Sequence, residues 1–274
     1  MHYPQSRFGG MTEYSQICFE DGGMTFPDDW PGTKAGDVEG MRMAKQVKDK
    51  WGRRPSAKRE SWAKILKSGE RNEIGDPFSC DWKVLWKDGK GSEETDDPIA
   101  MVRAQAKAAM EVDSEETSID SEQFLLSPHY AKQLLTRTSP MIATVDLTQA
   151  LVPIRLRFLQ KGNVSFRARI YRLPTSLEER RKWTDLLARN FPTPSKEEYP
   201  SCPGEQDLLG YVTTGNMSLT EGRGRAVGAL SWRAVEREEE RWIEEKEFRR
   251  WCIVRDVGQD IARLAKWEVN DYGG

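Results

Sequence analysis

Histidine and closely spaced cysteine are what this sequence has least of. There are two imidazoles, His2 and His129, and four cysteines, Cys18, Cys80, Cys202 and Cys252, which lie far apart with no C-x-x-C pair. That scarcity leaves no ligand set for a zinc or iron–sulfur centre and no disulfide framework, so reduced thiols in the cytosol or nucleus are expected. The G-x-x-x-x-G-K-[ST] loop, the dinucleotide fingerprint, the G-x-S-x-G elbow and the H-E-x-x-H helix are also missing, and Gly222-Arg223-Gly224 is too short for a phosphate loop. No signal peptide, lipidation motif or apolar run long enough to cross a bilayer is present, which argues against a membrane partner. Carboxylates abound, but in charge runs, where solvation is their ordinary role. The residues therefore point to no catalytic side chain, no metal and no cofactor.

What is present is charge, and it is segregated. The 274 residues are 37% hydrophobic and 31% charged, with a formal net charge of -2 and a mean hydropathy of -0.73. Such a chain suffices for one large domain or two smaller ones, with part of its surface left to loops or partners. Residues 41–71 hold 11 Lys/Arg against 3 Asp/Glu, residues 88–123 hold 3 against 11, and residues 151–182 hold 9 against 2. Separation of this kind makes basic surfaces suited to phosphate even when the total is near neutral. Ten tryptophans, mostly beside charged residues, suit either interfaces or small satellite cores.

The pattern centres on residues 208–230, LLGYVTTGNMSLTEGRGRAVGAL, where two apolar ends enclose a polar, glycine-bearing middle. The spacing predicts two strands with a turn at Gly215-Asn216 and a wide loop carrying Arg223 and Arg225, which would suit an anionic partner. The alternative is a hairpin whose glycines only make its turns.

Taken in order, residues 1–40 read as irregular structure with one helix at 11–20, as if the chain began partway through a larger one. Residues 37–51 read as a helix with a face of Lys45, Lys48 and Lys50, followed by the basic RRPSAKRESW segment. That segment is either a solvated face or one that lies along a phosphate backbone through Arg53, Arg54, Lys58 and Arg59. Residues 72–87, with Phe78, Trp82 and Trp86, read as a short strand or docking segment, and 88–123 as an acidic linker with an Ala-rich middle at 99–110. A helix follows Ser127-Pro128. Ile154, Leu156 and Phe158 alternate with Arg155 and Arg157, and in a second strand at 164–173 Phe166, Ala168 and Ile170 oppose Arg167, Arg169 and Arg172. Neighbouring strands of this kind would join their arginines into one basic face that reads a nucleic-acid backbone, unless these arginines pair with the acidic segments. An amphipathic helix at 177–190, a Pro-rich loop at 191–203, a long charged helix at 232–250 facing solvent, and strands at 251–257 and 264–269 complete the chain.

Four pieces carry a resemblance: RFGGMTEYSQICFEDGGMTFPDDWPGTKAG at 7–36, WGRRPSAKRESW at 51–62, CPGEQDLLGYVTTGNMSLTEGRGRAVGAL at 202–230 and WCIVRDVGQDIARLAKWEV at 251–269. Together with ALVPIRLRFLQKGNVSFRARIYRLP at 150–174, they resemble, in order, the C-terminal part of the largest protein subunit of eukaryotic ribonuclease P and ribonuclease MRP, fungal type. GYVTTGNMSL and the glycines after it are similar to the C-terminal barrel of the glycine-cleavage T-protein family. The latter implies an antiparallel β-barrel over residues 124–274 and, as a likeness of fold, does not import aminomethyl transfer. The implied whole is α+β: a partial, basic, loop-rich domain at 1–70, an acidic linker or insertion at 71–123, and the barrel.

The first resemblance implies a scaffold, not itself catalytic, for an endoribonuclease whose RNA carries the chemistry. Its reactions would be removal of the 5′ leader of precursor tRNA and ribosomal RNA processing. Its partners would be ribonuclease P RNA, ribonuclease MRP RNA and the smaller protein subunits, in the nucleus and nucleolus. RNA contacts are expected from Arg53, Arg54, Lys58 and Arg59, from Arg155, Arg157, Arg167 and Arg169, and from Arg223 and Arg225. The family's long basic N-terminal region has no counterpart here. The competing readings are a folate-binding aminomethyltransferase-like protein and a protein–protein adaptor without RNA contact.

Overall fold

Alternating apolar and polar residues extend the chain into β2 (Ala150–Phe158), the strand around which the others close. Val152, Ile154, Leu156 and Phe158 turn into one apolar core, while Arg155 and Arg157 stand on the opposite face. Antiparallel partners flank β2 on both edges, β5 (Arg223–Ser231) on one side and β7 (Ala262–Val269) on the other. From β5 the sheet continues through β4 (Leu208–Ser218), β3 (Arg169–Arg172) and β6 (Trp251–Arg255) back to β7. The result is a closed, six-stranded antiparallel barrel. A two-residue strand, β1 (Phe124–Leu125), runs parallel to the start of β2. The expectation of an α+β chain with a C-terminal barrel is met. The computed structural model describes residues 34–59, 61, 74–86, 124–136, 146–159, 162, 164–188, 203–218, 222–241, 248–259 and 261–269. The expected helix at 11–20, the acidic 88–123 segment and most of the loop at 191–203 lie outside them.

Every barrel strand sends side chains inward, among them Ile170, Val212, Leu230, Val254 and Trp267. Helix α2 (Pro128–Thr136), capped where the Tyr130 N–H donates to the Ser127 hydroxyl at 3.2 Å, adds Ala131 and Leu134 to this core. Helix α4 (Trp232–Arg241) adds Trp232, Ala234 and Val235. A second apolar layer covers part of the barrel's outside, where Tyr171, Tyr211, Ala229 and Ile253 meet Ile74, Trp82 and Val84 of segment 74–86 and Trp183 of α3 (Leu177–Ala188). Trp82 meets Tyr211 edge-to-face, ring centroids 5.2 Å apart at 86°, a geometry worth about 1 kcal/mol beyond the area it buries. Helix α1 (Lys34–Gly52) lies on the same outer surface, its Met43 packed on Val227.

Three expectations are corrected. Gly215 and Asn216 form no turn: β4 runs through them to Ser218, pairing them with Ala226 and Arg225. The second arginine strand is only Arg169–Arg172, and it neighbours β4 and β6, not β2, so the two arginine strands share no edge. The charged helix, described over Trp232–Arg241, does not reach Arg250 and does not simply face solvent. Ala234, Val235 and Glu238 are buried, and Arg249 and Arg250 return to Glu239, the latter with Nε 2.6 Å from Oε1. An ion pair across 11 residues cannot form along one straight helix, where that separation spans about 16 Å.

Candidate nucleic-acid interface

The basic segment after α1 is shaped by the helix end. The Arg53 N–H donates to the Asp49 carbonyl at 3.0 Å and the Arg54 N–H to that of Trp51 at 3.1 Å, after which Pro55 leads into a short 3-10 turn, Ser56–Lys58. This closure places the exposed Arg53 and Arg54 just past the negative end of the helix dipole, which favours cations there. Lys58 lies on the 3-10 turn itself. Arg59 folds back: its guanidinium carbon sits 5.2 Å from the Trp51 ring centroid, and Nη1 donates to the Gly52 carbonyl at 2.9 Å. Trp51 meets Phe78 with ring centroids 6.0 Å apart at 62°, and the Lys48 ammonium lies 5.7 Å from the Phe78 centroid. Lys48, Phe78, Trp51 and Arg59 thus form one run, two adjoining rings flanked by a cation at each end, joining α1 to segment 74–86.

A second basic surface is built by barrel register. Arg157 on β2 is the direct cross-strand partner of Arg225 on β5 and of Lys266 on β7. Directly paired residues share a face, and neighbouring strands lie about 4.8 Å apart, so three exposed cations cross three strands in one row. Arg157 also pairs with Glu268, Nη2 to Oε1 at 3.2 Å, with the arginine side chain 61% exposed, so the pair leaves it open to other anions. Arg223 is exposed two residues before Arg225 on the same face. Arg155, partly covered, faces Val227 and Glu268 in register. Since Met43 rests on Val227, α1 lies beside Arg155, and about two helical turns separate Met43 from Trp51.

Arg167 and Arg169 lie in neither basic surface. They are 9% and 0% exposed and turn into the junction with segment 74–86. Arg169 donates to the carbonyls of Ile74, Asp76 and Arg167 at 2.9, 2.8 and 2.9 Å, and its guanidinium lies 5.5 Å from the Tyr211 ring centroid. Arg167 donates from Nε to the Pro77 carbonyl at 2.5 Å, from a left-handed backbone at φ 71° that is uncommon outside glycine. Both anchor the docking segment, donating to backbone oxygens of Ile74, Asp76 and Pro77. Burial of the adjoining Cys80 thiol, which donates to the Val212 carbonyl at 3.7 Å, pushes its pKa up to about 12, against a smaller opposing pull from Arg169 and Arg167. Burial likewise raises the Tyr211 phenol, which donates to the Asp81 carbonyl at 3.0 Å.

Lys266 and the Trp51–Phe78 pair escaped the sequence reading. Lys266 shows only as the polar position of an apolar strand, and its place beside Arg157 depends on barrel closure. Trp51 and Phe78 are 27 positions apart, with a ring geometry that no local pattern encodes. Among the described residues, no cluster of three or more His, Cys, Asp or Glu could hold a metal ion, and no helix is long and apolar enough to cross a membrane.

A closed antiparallel barrel buttressed by an upstream segment, with two arginines and a lysine in a row on its outside, defines the class: an α+β barrel protein with a basic outer face. Residues 1–82 match the POPLD (NUC188) domain and residues 178–271 the POP1 C-terminal domain, and the chain belongs to the Pop1 family. It is 28% identical over 270 residues to the "Ribonucleases P/MRP protein subunit pop1" of Schizosaccharomyces pombe, a match covering 98% of this chain and 30% of that protein. It is 24% identical over 307 residues to the "Ribonucleases P/MRP protein subunit POP1" of Saccharomyces cerevisiae, covering 94% of this chain and 33% of that one. The chain therefore spans about a third of the length of the curated relatives it matches.

Proposed function

We propose that this chain is an RNA-binding scaffold subunit of a ribonuclease P/MRP ribonucleoprotein. In that role it holds ribonuclease P RNA, ribonuclease MRP RNA and the smaller protein subunits in the nucleus and nucleolus. It supports 5′-leader removal from precursor tRNA and ribosomal RNA processing, while the RNA carries out the phosphodiester chemistry. The names of the relatives support the particle, and the observation that carries the RNA-binding role is the row Arg225–Arg157–Lys266. Three cations in register across neighbouring strands concentrate positive charge where a polyanion can lie. Arg53, Arg54, Lys58 and Arg59 form the other half of the interface, with Arg155 and Arg223 beside the row. Arg167 and Arg169 serve it only by fixing segment 74–86.

The test is the salt dependence of RNA affinity. Each phosphate neutralised contributes to the slope of log affinity against log salt. Reversing the charges of Arg53, Arg54, Lys58 and Arg59 together flattens that slope. An unchanged slope removes these residues from the interface.

A further inference from the structure

Arg59 is charged, but it is held in the manner of a surface for stacking. The Trp51 ring lies 5.2 Å from its guanidinium carbon and the Gly52 carbonyl accepts from Nη1 at 2.9 Å, while the residue remains exposed. Trp51 is itself set by the edge of Phe78, which carries Lys48. A phosphate contact needs no such arrangement, because a point charge on a flexible stem serves as well. A planar guanidinium held over an indole by a backbone hydrogen bond is pre-organised to receive a flat partner.

We propose that Arg59 is the stacking platform for an unpaired RNA base, completing an indole–guanidinium–base sandwich, with Arg53 and Arg54 holding the adjoining phosphates. This rests on the RNA-binding reading above and names its substrate class at this site. A base paired within an A-form helix presents no face to a side chain, whereas a splayed base in a loop, bulge or end does. The platform therefore selects single-stranded nucleotides and leaves the barrel row to take backbone of either kind.

The experiment uses the full chain and three RNAs: a single-stranded oligouridylate, the same oligomer with abasic residues, and a duplex of equal length. Arg59→Lys keeps the charge and loses the plane. It weakens binding of the oligouridylate about tenfold, the scale of one base–side-chain stack. It leaves the salt slope, the duplex affinity and the abasic affinity at the wild-type values. Arg59→Ala weakens all three and lowers the slope. An Arg59→Lys protein that binds the oligouridylate as tightly as wild type, or that loses as much on the abasic oligomer, overturns the platform while RNA binding itself stands. A wild-type protein that binds none of the three overturns the RNA reading, and the platform with it. Thermal unfolding of the lysine variant at the wild-type midpoint confirms that the change is local.

Discussion

Arg157 and Arg225 face each other as direct cross-strand partners on β2 and β5, and on its other side Arg157 meets Lys266 in the same way. A barrel that aligns three cations in one row, with Glu268 paired to Arg157, presents a surface suited to an anion.

Lys266→Gln separates RNA affinity from stability. The substitution is at an exposed strand position, so unfolding free energy shifts by no more than about 0.5 kcal/mol, and in the stabilising direction as repulsion is relieved. RNA affinity falls, and the salt slope drops by about one. Denaturant titration and binding at several salt concentrations read both.

Arg169→Ala acts on the fold. It leaves the carbonyls of Ile74, Asp76 and Arg167 without their charged donor, for a loss of roughly 3 kcal/mol. Segment 74–86 is loosened before the barrel opens, and Cys80 reports it. In the wild type a thiol pushed up to about 12 reacts negligibly with an alkylating reagent at neutral pH, whereas in the variant Cys80 is modified while Cys252, buried in the barrel core, is not. Peptide mapping after alkylation distinguishes the two thiols.

This same arginine marks where the sequence was legible and where it was not. The alternation around β2 shows which face Arg155 and Arg157 take, because period-two patterning is local. Arg169 obeys a similar alternation, yet Ile74 and Asp76 of segment 74–86, 95 and 93 residues upstream, cover its face, and nothing near Arg169 encodes that cover. Closure of the barrel was legible only through family resemblance, and the alignment of Arg157 with Lys266, which depends on that closure, was not legible. Gly215-Asn216 carries turn chemistry, but β5 begins only at Arg223, so pairing extends β4 past it to Ser218. At 232–250 the charges suggested a continuous exposed helix, whereas the same charges, Glu239 with Arg249 and Arg250, bring the chain back towards β6. Residues whose partners lie within a few positions were readable. Those defined by distant packing were not.

The glycines of the central hairpin differ in what they tolerate. A side chain on Gly210 would collide with the Ala229 carbonyl of the paired strand, so Gly210→Ala unfolds the barrel or costs it several kcal/mol. Gly222 stands in open space at φ +62°, and Gly222→Ala costs about 1 kcal/mol for backbone strain alone. Thermal melts of the two variants read the contrast.

Alkaline pH weakens the fold. Cys80, Cys252 and Tyr211 all have pKa values raised by burial, so the folded chain keeps protons that the unfolded chain releases from about pH 9 upward. Their contribution is complete below the unfolded values and is lost as pH rises through the window between those and the folded ones. Stability measured by urea unfolding declines above about pH 9, and Cys80→Ala makes the decline shallower.

The most direct test of the central claim is to tag the chain in its own cells, purify it and sequence the RNA that accompanies it. Enrichment of the ribonuclease P and ribonuclease MRP RNAs, reduced when Arg53, Arg54, Lys58 and Arg59 are charge-reversed, is the expected result. Recovery of protein partners with no RNA above background would contradict it.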